Sequence, residues 1–182
     1  TIYCAFLYDK YLLETDPVEK ENINFLLELL TPIAKSWPSE YCLEANKHAI
    51  QVLGGYGYTK DFPLERFYRD NRLNPIHEGT HGIQALDLVA RKLFQNDGKS
   101  FSYLMSLIEE TILLAKQDKE LGEYAEKLGN AILRLETVVG SIKFERENSG
   151  DYLALSSAGI FLDSIGHIVI GWMWLKQGIE VF

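Results

Sequence analysis

The sequence predicts an all-α fold, an antiparallel helical bundle with further helices attached. Three observations predict it. Nearly every segment of the 182 residues carries apolar side chains at helical spacing. No run alternates apolar and polar residues as a half-buried strand does. Cap and breaker residues, rather than hairpin turns, divide the segments. An apolar fraction of 47% supplies a sizeable core, and a charged fraction of 24% is ordinary for a globular domain.

Taken in order, the first helix runs from Ile2 to about Leu13. Asp16-Pro17 is a start signal, an N-cap acid with proline at the first helical position. The helix behind it places Ile23, Leu26, Leu27, Leu30, Ile33 and Ala34 on one stripe, and Pro32 should kink it. Trp37-Pro38-Ser39 reads as an interruption, with Ser39 capping a new helix that ends at Gly54-Gly55. Gly54 to Thr59 is a glycine-rich turn. Asp61 and Pro63 start a shorter helix carrying Leu64, Phe67 and Tyr68, and Asn74-Pro75 breaks it. After the polar loop His77-Glu78-Gly79-Thr80, Thr80 is the expected N-cap of a helix bearing Ile83, Leu86, Val89, Ala90 and Leu93. Asn96-Asp97-Gly98 ends that helix, which puts a boundary between residues 1–97 and 98–182.

Three helices are expected beyond it: about Phe101 to Lys116, about Glu120 to Asn148, and Asp151 toward the C-terminus. The short turn Asn148-Ser149-Gly150 makes the last two antiparallel neighbours. Residues 152–175 are apolar enough to raise a membrane span, but Asp163 and His167 at mid-span are costly in lipid. A buried central helix is the reading taken. Asp163 and His167, four apart, are expected to pair as a satisfied polar contact.

Charge narrows the partners. With 26 acidic against 18 basic side chains the net charge is −8, which disfavours a broad nucleic-acid or anionic-membrane surface. Cys4 and Cys42 lack metal or redox spacing and read as free, buried thiols. No metal site is expected, and His48 and His81 have no ligand-like neighbours. The expected compartment is reducing: the cytoplasm, or the mitochondrial matrix in a eukaryote. The chain starts at Thr1 inside an apolar pattern (Ile2, Ala5, Phe6), which reads as a cut through a helix. A longer protein is expected, with a strand-rich stretch upstream of Thr1.

Glu78 is the focus of the chemistry. A loop carboxylate is ordinarily just solvated. Here Gly79 permits close approach of a ligand. Thr80 offers a hydroxyl beside the unpaired N–H groups of a helix start. Gly54 and Gly55 give a second point of close approach. Arg66, Arg69, Asp70 and Arg72 read as a charged, structural or interfacial helix face.

The string IHEGTHGIQALDLVARKL resembles the acyl-CoA dehydrogenase family pattern I-Y-E-G-T followed by a small polar stretch and I-Q. AIQVLGGYGYTKDFPLERFYRDNRL resembles the segment that precedes it in that family. The 27 residues from Gln51 to Glu78 fit the family spacing. The resemblance covers residues 1 to about 95 well and the rest loosely, and it implies the C-terminal helical domain of such a flavoenzyme. It implies Glu78 as the base that removes the α-proton of an acyl-CoA thioester, with Gly79 beside the thioester and His77 next to the substrate. It implies FAD contacts at Thr80, His81 and Gly82. Gln51, Val52, Leu53, Gly54 and Gly55 are implied to meet the adenine end of FAD, often that of a neighbouring subunit, hence a homo-oligomer. An electron-transfer flavoprotein is the implied acceptor.

His77 stands where Tyr is common, which bears on the acyl chain accepted. Gly82 stands where many members carry Glu or Gln, as it does in long members of the family with an added C-terminal helical region; residues 99–182 look like such an extension. A base of this kind works best in an apolar, dehydrated pocket that raises its pKa. No β-domain is legible here, so the isolated chain is expected to bind FAD weakly or not at all. A second reading is a helical oligomerisation or interaction module without activity of its own. A third, a DNA-binding relative, is disfavoured by the acidic balance.

Overall fold

Asp16 begins the longest element in the way its side chain dictates. In the computed structural model, which describes residues 1–181, its carboxylate accepts a hydrogen bond from the Val18 N–H at 3.0 Å. Pro17 then takes the first helical position. The helix runs without interruption to Val52. Eight α-helices and no strand occur among the described residues: α1 (Ile2–Leu13), α2 (Pro17–Val52), α3 (Leu64–Asn71), α4 (His81–Asp87), α5 (Lys99–Ala115), α6 (Gly122–Ser149), α7 (Asp151–Ala154) and α8 (Ala158–Val181). The fold is all-α, as expected.

Two boundaries differ from expectation. Pro38 does not stop α2, and Ser39 is no cap; its hydroxyl donates to the Ser36 carbonyl at 2.8 Å from inside the helix. Each interior proline removes one rung of the ladder. The face carrying Ile23, Leu26, Leu29, Leu30 and Ile33 is buried, and tertiary packing outweighs the lost rungs. The C-terminal helix is likewise split into α7 and α8. The Ser156 hydroxyl donates to the Leu153 carbonyl at 2.7 Å, and the Ala158 N–H turns back to Leu155 at 3.1 Å. A serine competing for backbone groups explains that break.

The other elements follow their signals. Asn96, Asp97 and Gly98 all take positive φ (51°, 57° and 78°), a left-handed turn that ends one helix and starts α5. Leu121 lies against Gly178, and Leu128 against Gly171. The indices run in opposite directions by equal steps, so α6 and α8 are antiparallel neighbours. Residues before and after Gly98 build one buried cluster, from Leu29, Leu88 and Leu93 to Leu104, Ile108, Leu162, Ile165 and Trp172.

Helix α8 has the length and composition to cross a bilayer. Here Phe161, Leu162, Ile165, Val169, Trp172 and Leu175 are its buried face, packed against α2, α4, α5 and α6. Close approach to α2 depends on Gly166. A methyl group there would drive into the Trp37 indole at Cδ1, so any side chain at 166 pushes the two helices apart.

A second tie crosses the halves at the end of α4. Residues Leu88–Lys92 form a π-turn, with the Leu93 N–H reaching the Leu88 carbonyl at 2.8 Å. Such a turn leaves backbone groups out of register. Arg146 of α6 donates to the Ala90 carbonyl at 2.9 Å while its Nε binds Asp151 at 2.7 Å. Lys92, nearly buried, sits between Asp87 (3.5 Å) and Glu28 (3.7 Å).

The expected Asp163–His167 side-chain pair does not form. His167 places Nδ1 2.7 Å from the Asp163 backbone carbonyl and Nε2 2.9 Å from the Tyr41 hydroxyl. Its ring stands edge-on to Trp37 and Tyr41, themselves stacked at 4.0 Å. The ring therefore meets Asp163 through its backbone carbonyl, while the Tyr41 hydroxyl on α2 takes the other nitrogen. Of the thiols, Cys4 is half-buried and Cys42 is exposed, not buried, because Cys42 falls on the outer face of α2. Burial pushes the Cys4 thiol and the Tyr3 and Tyr103 hydroxyls up.

Candidate active site

The loop from Leu73 to Thr80 is tied down at several points. Lys35 of α2 donates its ammonium to the Asn74 carbonyl. Asn74 donates to the Asn71 side chain at 2.7 Å, and Asn71 to the Asn46 side chain at 3.0 Å. His77 turns Nδ1 back to the Leu73 carbonyl at 2.9 Å. Between this loop and α2 lies a recess of about 260 Å³ lined by Ala34, Lys35, Pro38, Cys42, His77 and Glu78, among others.

Glu78 sits on its rim in a left-handed conformation, φ 55°, one of three such non-glycine residues among those described. A side chain bearing a Cβ holds that conformation at a cost of about 1–2 kcal/mol. Gln84, in the first turn of α4, holds it: its amide Nε2 donates to the Glu78 carbonyl at 3.1 Å. Gly79 continues the turn at φ 90°, and a Cβ there would lie 2.7 Å from the same Gln84 nitrogen. Glycine is therefore required at 79 both by conformation and by space. Asp97, in the turn before α5, is the other carboxylate residue in this region of φ among those described. Substituting Glu78→Gly is expected to stabilise the 182-residue chain by about 1 kcal/mol. Urea unfolding measures it; a loss of stability would show that the carboxylate itself holds the loop together.

In this chain the Glu78 side chain is exposed. The water-poor pocket expected from sequence is not found among residues 1–181: α2 and the loop line an open recess, and Glu78 stands exposed on it. Thr80 occupies the N-cap position of α4 but makes no side-chain cap bond. The position is the one expected, and its exposed hydroxyl is left without a backbone partner in the helix start. Gly82 is exposed, and a side chain at 82 would meet nothing within 4 Å.

His81 has a partnered imidazole. Nδ1 meets the Ser36 hydroxyl, and Nε2 faces the Asp163 carboxylate at 3.6 Å. The residues from Gln51 to Gly55 form the exposed end of α2 and the start of a 3-10 turn (Gly54–Tyr58), with Leu53 partly covered. Cβ atoms built on Gly54 and Gly55 would meet nothing within 4 Å. Measured along the helix, Gln51 lies about 14 Å beyond Cys42 of the Glu78 recess. The glycine segment and Glu78 therefore do not share one recess. Arg66, Arg69, Asp70 and Arg72 are exposed on and just after α3, with a 3.8 Å contact between Arg69 and Asp70.

Sequence reasoning did not place Lys35, Ser36, Asn71 or Asp163 in this region, nor did it give Asn74 and Gln84 their hydrogen-bonding roles. For Gln84 a signal existed, an amide six residues after Glu78 in the first helical turn. For Lys35, Ser36, Asn71 and Asp163 the partner lies far along the chain.

The family model described as acyl-CoA dehydrogenase, C-terminal domain, matches residues 18–94. A second, described as acetyl-CoA dehydrogenase C-terminal like, matches residues 104–180. A broad-specificity linear acyl-CoA dehydrogenase of Mycobacterium tuberculosis is 26% identical over 155 residues, 82% of this chain and 25% of that protein. A 3-methylmercaptopropionyl-CoA dehydrogenase of Ruegeria pomeroyi is 34% identical over 101 residues, 55% of this chain and 17% of that protein. An acyl-CoA dehydrogenase of Bacillus subtilis is 46% identical over 54 residues, 30% of this chain and 14% of that protein. The chain spans a quarter or less of each of these relatives.

Proposed function

From a chain that belongs to the acyl-CoA dehydrogenase family, matching its C-terminal domains, we propose the catalytic-base segment of an enzyme that α,β-dehydrogenates an acyl-CoA thioester. The observation that supports this most is the Glu78 loop itself: a carboxylate in a strained left-handed turn, held by Gln84 and tied to α2. Family relatives are oxidoreductases, and the family is FAD-dependent in general.

Glu78 takes the α-proton onto its carboxylate. The C–H electron pair becomes the new Cα–Cβ π bond as a hydride departs from the β-carbon, so two hydrogens leave the substrate. Bound FAD supplies the acceptor for that hydride. Gly79 gives the thioester carbonyl room beside the base, and His77 stands next to the acyl chain. The residues here fit a flavin. Thr80 has an uncommitted hydroxyl, and Gly82, Gly54 and Gly55 expose backbone with no side chain over it. Thr80, His81 and Gly82 would face the isoalloxazine. Gln51 to Gly55 would face the adenine end, and their displacement along α2 favours an adenine from a neighbouring subunit.

Covering the exposed side of Glu78 is the task of the rest of the enzyme. Once dehydrated, the carboxylate is a stronger base. Exposed Leu73 and Ile76 within the loop, and Ile83 and Leu86 just after it in the chain, offer apolar side chains to such a covering wall. The same side chains support the second reading, an interaction module when the chain stands alone. A homo-oligomer, and an electron-transfer flavoprotein as acceptor, complete the proposal, in the cytoplasm or the mitochondrial matrix. Because Glu78, Thr80, Gly82, Gly54 and Gly55 are all open to solvent or uncovered here, gel filtration of the 182 residues with added FAD is expected to yield protein without flavin absorbance. Co-eluting flavin would show that these helices hold the cofactor unaided. The central test is flavin reduction by acyl-CoA in the whole enzyme carrying Glu78→Gln.

A further inference from the structure

The imidazole of His81 joins three helices. It begins α4, directly after the Glu78-Gly79-Thr80 loop. Its Nδ1 contacts Ser36, a residue of α2 that is 1% exposed. Its Nε2 faces Asp163 of α8 at 3.6 Å, within ion-pair range and longer than a hydrogen bond. Asp163 and His81 open together onto a recess of about 410 Å³, shared with Glu40, Tyr41 and Glu44 of α2. An anion opposite Nε2 favours the tautomer with its proton there, and that tautomer leaves the Nδ1 lone pair to accept the Ser36 O–H. The buried hydroxyl and the carboxylate thereby fix the ring from both sides. The same first turn of α4 carries Gln84, which holds the Glu78 carbonyl.

We infer that Asp163 is a positioning residue for the Glu78 loop. Acting through His81 and Ser36, it clamps the first turn of α4 against α2 and so sets the direction of the Glu78 carboxylate. The inference rests on the reading of Glu78 as base. It assigns to the last helix of the chain a part in the geometry of a site carried by residues 51–84. Asp163 is assigned no part in the chemistry itself; it acts only through His81. A positioning error of about 1 Å at a base is enough to cost up to two orders of magnitude in rate.

Two measurements test it. In the 182-residue chain, nitrogen NMR of His81 is expected to report the Nε2–H tautomer. Asp163→Asn, near-isosteric and uncharged, and Ser36→Ala are each expected to move the ring toward a mixture of tautomers, with the helical signal kept. In the whole enzyme, Asp163→Asn is expected to lower the rate of flavin reduction about tenfold with KM for acyl-CoA and Tm unchanged. Asp163→Glu should recover most of that loss. Identical His81 spectra in the wild type and Asp163→Asn would overturn the clamp, as would a wild-type rate, or a rate loss that only follows a fall in Tm. The NMR arm does not involve Glu78. If Glu78→Gln still reduces the flavin, the base assignment fails while the clamp is judged on the ring alone.

Discussion

Glu78→Gln in the whole enzyme is expected to slow flavin reduction by acyl-CoA by a factor of about 10³, near the middle of the range for losing a general base. Gln matches Glu in size, so the substitution removes the basic oxygen without opening space. The hydrogen bond that holds the turn comes from the Gln84 amide to the Glu78 backbone carbonyl, and it survives the change. Substrate binding should therefore persist while chemistry stops, a loss in kcat and not in KM. Rapid-mixing absorbance of the flavin under anaerobic conditions, with a saturating acyl-CoA, reads the step directly. A rate within about tenfold of wild type, below what even a weak general base supplies, would remove Glu78 from the reaction and leave the interaction-module reading in its place.

Trp172→Ala is expected to destabilise the 182-residue chain by about 3–5 kcal/mol. Trp172 is fully buried at the centre of α8. Its indole N–H donates to the Thr111 hydroxyl of α5 at 2.7 Å, and the Tyr3 ring of α1 stands edge-on at 5.7 Å. Truncation opens a large cavity between three helices and also leaves Thr111 without that donor. Its hydroxyl still bonds the Leu107 carbonyl at 2.9 Å, so the cavity dominates the loss. For a chain of this length, Tm is expected to fall by about 10 °C. Urea and thermal unfolding followed by circular dichroism measure both. A loss below about 1 kcal/mol, the level of a surface substitution, would mean that α8 is not the centre of the core.

How much was legible in the sequence depended on how local the cause was. The Asp16-Pro17 start and the Asn96-Asp97-Gly98 turn are fixed by residues a few positions apart, and both were read directly. Pro38 does not end the helix because its local cost is outweighed by the buried face of α2, whose partners include α1 before it and α5 and α8 far along the chain. The split of α7 from α8 turned on a serine hydroxyl choosing a backbone carbonyl, a choice that periodicity does not encode. Around Glu78, the motif placed the carboxylate and its glycine. The Gln84 bond was within reach of spacing. The contacts of Lys35 with Asn74 and of Asp163 with His81 join positions 39 and 82 apart in the chain, and no single-sequence pattern announces such pairs. Local spacing points the Asp163 side chain to His167, one turn away, but that imidazole takes the Asp163 backbone carbonyl and the Tyr41 hydroxyl.

The close approach at Gly166 bears on how such proteins can be recombined. The halves on either side of Gly98 look separable on paper, since each matches its own family description. Where Trp37 meets α8, however, they fit as a tongue fits a groove. A chimera that grafts a relative's last helices onto residues 1–97 should assemble only if the donor brings a residue without a side chain to the position facing that indole, or if the indole is trimmed to match.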